Sequence, residues 1–148
     1  MKLFKTLRGF LAGEETDEPL YFAYSASLRI WGEALDLDDI SRQLGVQPTM
    51  VRRRGERARP GSPVSKDDAW HFTVSLPEER PLHEHIDELW RTIRSAKAFL
   101  KELKKSVRVD VFLGYRSNCD HAGVQVPWTS LEMFVELEIP FGISVIVA

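Results

Sequence analysis

Five arginines, Arg52, Arg53, Arg54, Arg57 and Arg59, fall inside eight residues. They stand against one acid, Glu56, for a local net charge of +4. Guanidinium forks match carboxylates and phosphates bidentately, so the cluster could hold an acidic protein surface, a nucleotide or nucleic acid. The competing expectation is a solvated loop whose charge is balanced elsewhere. No Lys or Arg follows Arg116, whereas Asp120, Glu132, Glu136 and Glu138 do, which suggests pairing between the two regions within one chain or across a dimer. The stretch is broken by Gly55 and Pro60 and is no recognition helix, so sequence-specific DNA reading is disfavoured.

Four tryptophans are many for this length, and tryptophan is enriched where interfaces concentrate their energy. Trp31 falls opposite the apolar face of its strand, and Trp128 follows Pro127 in a loop; these two are the candidate partner-binding aromatics. Structural packing is the competing use for each. Trp70 opens a strand on its apolar side and belongs to the core.

Other chemistry finds weaker support. His83 and His85 are two apart on a helix, a spacing that sends side chains to different sides, so both are expected as exposed polar positions and not as zinc ligands. Cys119 and His121 invite a thiol–imidazole pair, but neighbouring loop residues seldom present the geometry that nucleophilic catalysis needs. No phosphate loop, dinucleotide fingerprint or nucleophile elbow is present. The expectation is therefore no catalytic residue, no metal and no cofactor.

The elements that must position these residues follow from periodicity. The chain has 148 residues, 20 basic and 22 acidic side chains and a net charge of −2, so bulk charge does not mark a polyanion binder. One cysteine excludes an intrachain disulfide and points to a reducing, cytoplasmic setting. No apolar run approaches the ~18 residues of a membrane span. Residues 1–20 form an amphipathic N-terminal arm, with Leu3, Phe4, Leu7, Phe10 and Leu11 at helical spacing between Lys2, Lys5 and Arg8. The arm could dock on its own domain, on a sister chain in a homodimer, or on a membrane surface.

Residues 21–148 read as one domain. Alternation predicts strands over 21–31, 70–76 and 107–115, and a short terminal strand over 143–147. Helical spacing predicts a helix over 37–44, capped by Asp36 or Asp38 and closed by Gly45, and a long one over 82–103 bent near Ser95. Val46 to Ala69 holds too many glycines and prolines for a regular element. Residues 130–138 alternate like a strand but are good helix formers behind a Thr129 or Ser130 cap. The expected fold is α+β: a two-layer sandwich of about four mainly antiparallel strands with helices on one face, ferredoxin-like.

The order of motifs resembles the bacterial family catalogued as domain of unknown function 4279. The resemblance runs from about Tyr21 to Val147. It rests on Ile30-Trp31-Gly32-Glu33, on Leu37-Asp38-Asp39-Ile40 entering a helix that closes Leu44-Gly45-Val46, on Gln47-Pro48-Thr49 and the basic stretch through Gly55, and on Trp70. The Leu82–Leu103 helix and the strand from Val107 complete it. The resemblance implies a helix before the last strand and brings no activity, cofactor or catalytic residue. The resulting expectation is a non-catalytic, protein-binding cytoplasmic domain, of immunity type, that recognises an acidic partner through the Arg52–Arg59 loop with Trp31 or Trp128. A nucleic-acid-associated module using the same loop is the alternative.

Overall fold

The computed structural model describes residues 18–148, so the amphipathic pattern of the N-terminal arm lies outside the described residues. The chain runs β1 (Phe22–Gly32), α1 (Leu37–Leu44), β2 (Met50–Arg52), β3 (Asp68–Thr73), α2 (Leu82–Ile93), α3 (Lys97–Leu103), β4 (Arg108–Ser117), α4 (Glu132–Leu137) and β5 (Ile143–Val147). A 3-10 turn at Arg94–Ala96 joins α2 to α3, which is the expected bend, and another at Trp128–Leu131 leads into α4.

One open sheet has the order β2-β3-β1-β4-β5. β1 is its spine, antiparallel to β3 over Ser27–Gly32 and to β4 over Phe22–Trp31. The α+β class stands, but two details of the expected sheet need correction. The described residues form five strands, because Met50–Arg52 pairs with the edge of β3 inside the stretch read as irregular. The sheet is mixed, because the return through α4 brings β5 alongside β4 in parallel. A tight hairpin would have made that pair antiparallel; a helical crossover carries the chain back to the starting end.

Alternation decides what each strand buries. Ala26, Leu28 and Ile30 of β1, Trp70 of β3 and Leu113 of β4 are fully buried and face one layer. Ile86, Leu89 and Ile93 of α2, Leu100 of α3 and Met133 of α4 meet them in a single core. Among the described residues all helices therefore lie on one side of the sheet, and the opposite side is uncovered. α1 begins where the Asp36 carboxylate accepts the Asp39 N–H at 3.0 Å and ends where Gly45, at φ 69°, returns its N–H to Ser41. No helix among the described residues is long and apolar enough to cross a membrane.

Candidate functional site

The uncovered face carries the side chains of opposite parity, and the strand register sets them in rows. Arg52, Ala69, Trp31 and Arg108 form one row across β2, β3, β1 and β4. Met50, His71, Arg29 and Asp110 form the next, followed by Thr73, Ser27 and Phe112. Side chains directly opposite on one sheet face lie ~5 Å apart at Cβ, so each row is a set of contacts.

Arg29 is the hub. Its Nε donates to Asp110 Oδ1 at 2.8 Å and its Nη2 to Oδ2 at 3.0 Å. Its guanidinium carbon lies 4.5 Å from the Trp31 ring centre and 4.8 Å from that of Phe112. Arg108, across the strand, lies 4.0 Å from the same indole. His71 meets Trp31 edge-on at 5.0 Å. Stacking on a ring face fixes a guanidinium plane while leaving its N–H edges free to donate. Arg29 spends two donors on Asp110, whereas Arg108 is exposed.

His71 is held as a neutral imidazole. Burial pushes its pKa down to about 4, and the positive charges of Arg29 and Arg52 outweigh the opposing pull of Asp110. Its buried Nε2 has no hydrogen-bond partner. Because the native pKa lies below the ordinary value near 6.5, the unfolded chain binds more protons between these values. Stability is therefore complete above pH 6.5 and falls as the pH drops toward 4. We expect His71 to account for about 2 kcal/mol of lost stability between pH 7 and 4.5. Denaturant unfolding at both pH values checks this: His71→Phe should flatten the profile, and an unchanged profile would contradict the assignment.

The arginine loop is built, not loose. The buried Asp68 carboxylate accepts the Arg54 N–H at 2.8 Å, the Leu35 N–H at 3.0 Å and Arg53 Nη1 at 3.3 Å. The two backbone donors, Arg54 before Leu35, hold its pKa below the ordinary aspartate range against the cost of burial, and the Arg53 charge adds to them. Arg53 Nη1 also donates to the Leu35 carbonyl at 3.0 Å. Arg57 donates to the Ser62 carbonyl and bridges Val64 as the loop turns back.

The five arginines thus divide. Arg52 joins the uncovered sheet face, Arg53 and Arg57 brace the loop, and Arg54 and Arg59 have exposed side chains. Among the described residues no ion pair links them to Asp120, Glu132, Glu136 or Glu138. Three of those acids meet other partners: Glu136 pairs with Lys97, Glu132 accepts from Trp90 Nε1, and Asp120 contacts His121.

Trp31 and Trp128 are not brought together. Trp31 lies on the uncovered face, whereas Trp128, 84% exposed, precedes α4 in the helical layer. His85 is a correction: it is buried, because it falls on the same stripe of α2 as Leu82, Ile86 and Leu89. Burial holds its pKa below the ordinary imidazole value, with the Pro77 and Arg80 carbonyls acting the other way. Cys119 Sγ lies 3.9 Å from His121 Nδ1, but Asp120 contacts that same nitrogen at 2.7 Å. A relay needs the acid on one ring nitrogen and the nucleophile on the other, so this trio is not arranged as one.

Arg29, His71, Arg108, Asp110 and Phe112 were not singled out from sequence. Their signal was parity: each occupies the non-core phase of a strand whose core phase is plain.

A one-layer helical cover over a five-stranded sheet, with cations stacked on aromatics across the open face, defines an α+β domain with a cationic, aromatic surface. The chain belongs to the DUF4279 family, a domain of unknown function, whose profile matches residues 22–148. No curated protein and no solved structure matches it.

Proposed function

We propose that this protein is a non-catalytic binding domain, of immunity type, that takes an acidic protein surface on its uncovered sheet face. The observation that carries the reading is the stacking of Arg29 and Arg108 on Trp31. These guanidinium groups are ordered before any partner arrives, so less rotamer entropy is lost when a carboxylate accepts from them. Arg52 extends the row, and the loop beyond it adds the exposed Arg54 and Arg59. Asp110 neutralises only Arg29. The order β2-β3-β1-β4 of the antiparallel strands supports a ferredoxin-like core to which β5 is added. The lone cysteine supports a cytoplasmic setting.

Nucleic acid is the other ligand such a face suggests, since sheet aromatics can stack bases. Here guanidinium groups already lie over Trp31 and Phe112, and stacking a base there would have to displace them. Carboxylate recognition uses the groups as they stand.

Affinity capture from host lysate, comparing the native protein with Arg52→Glu/Arg108→Glu, tests the reading. An acidic protein retained by the native form and weakened at least tenfold by the variant is the expected result; that factor corresponds to about 1.4 kcal/mol. Nuclease-sensitive material whose retention falls steeply with salt would replace the proposal with the nucleic-acid reading. Equal capture by both forms would remove the sheet face from the function.

A further inference from the structure

The sheet has two edges, and they are treated differently. β2 is three residues long, follows Pro48 and ends at Arg52, so it offers little to another strand. Short, charged or proline-flanked edges are the usual protection against strand addition. β5, Ile-Ser-Val-Ile-Val, has five residues with no charge, no proline and no glycine. Val145, Ile146 and Val147 are 60%, 55% and 52% exposed.

Among the described residues no strand lies beyond β5, which leaves its outer hydrogen-bonding groups without a strand partner. The Ala148 N–H donates to the Ser117 carbonyl of β4 at 3.0 Å. Successive residues of a strand turn their N–H and C=O groups to opposite sides. Ser144 and Ile146 therefore face β4, and Ile143, Val145 and Val147 direct theirs away from the sheet.

We infer that β5 pairs with β5 of a second copy of this chain, antiparallel about Val145. In that register Val145 exchanges both hydrogen bonds with its symmetry mate, and Ile143 does the same with Val147 of the second copy, for about six bonds. Ser144 stands opposite Ile146 of the second copy. Every opposed pair is uncharged, and Val145 is the centre that leaves no residue of β5 unpaired. The segment is thus self-complementary, as an isologous twofold contact requires, and β-branched side chains opposed across strands stabilise the pair. A second copy of the chain is the occupant that brings this matching strand with no like charges facing each other.

The twofold axis of such a pair stands perpendicular to the sheet, so the two sheets join as one and both uncovered faces look the same way. The inference stands whether or not those faces bind an acidic partner.

Sedimentation equilibrium of the full chain between about 1 and 100 µM tests it. The expected result is a mass rising to twice 17.0 kDa, with Val145→Lys raising the dissociation constant at least tenfold while its far-ultraviolet dichroism and melting temperature stay native. Hydrogen exchange on the native protein supplies a readout that needs no variant: the Val145 and Val147 amides should become protected as concentration rises. A native protein that stays monomeric at 100 µM overturns the inference, including the case in which another protein's strand covers the edge. A dimer unaffected by Val145→Lys, or one whose formation leaves those two amides unprotected, overturns it as well.

Discussion

Trp70→Ala is expected to cost about 3–5 kcal/mol, the largest stability loss of any single substitution argued for this protein. Trp70 is fully buried at the middle of the sheet, opposite Ile30 on one side and Val51 on the other. Its Nε1–H donates to Ser41 Oγ at 3.0 Å, and that hydroxyl donates in turn to the Leu37 carbonyl, also at 3.0 Å. The indole therefore both fills the space between β3 and α1 and ties the helix to the strand. Truncation removes the largest fully buried side chain and leaves a cavity that the surrounding sheet cannot close. Trp70→Phe keeps most of the volume and loses the donor, so about 1–2 kcal/mol is expected. Guanidinium denaturation of both variants checks the order. A loss below about 1 kcal/mol for Trp70→Ala would show that the core does not depend on this contact.

Asp68→Ala should lower the melting temperature by about 10 °C and release the arginine loop. One carboxylate there satisfies the N–H groups of Leu35 and Arg54 and receives Arg53. Removing it leaves buried donors without partners, which costs more than the bonds themselves contribute. Tryptic cleavage after Arg54 or Arg57 is expected to accelerate several-fold before global unfolding, because the loop loses its anchor. Asp68→Asn should fall between, since an amide offers one accepting oxygen where the carboxylate offers two. The pH dependence has a definite sign. A carboxyl held below its unfolded pKa contributes stability above the ordinary aspartate range, and that contribution is lost as the pH falls through the native value. Acid unfolding of Asp68→Asn should lack this component. An unchanged melting temperature and cleavage rate in Asp68→Ala would show that the loop is held by something else.

Much of the scaffold was legible. Asp36 and Gly45 mark the ends of α1 because a side-chain acceptor and a left-handed residue are what helix termini require. Alternation in β1 and β4 placed Leu28, Ile30 and Leu113 in the core and Trp31 on the other face. The segment 130–138 was ambiguous by pattern. As a strand it would bury Val135 alongside Met133 and Leu137, but Val135 is 73% exposed while Phe134 is buried, which is the arrangement a helix produces. β2 was missed because Met50, Val51 and Arg52 carry no period of their own; they are a strand because β3 offers an edge to pair with. His85 was misplaced because its polar type was weighed above its spacing from Leu82 and Leu89.

The sequence by itself determined the core faces of β1, β3 and β4, the aliphatic stripe of α2, the ends of α1, and that a cationic stretch follows α1. These are local properties, readable from spacing over one or two turns or a few strand residues. The partners on the uncovered face were decided by tertiary structure alone. Arg29 meets Asp110 across 81 positions, and Trp31 meets Arg108 across the same strand pair. Such contacts depend on strand order and on register, and a slip of one residue would turn every one of these side chains to the other face.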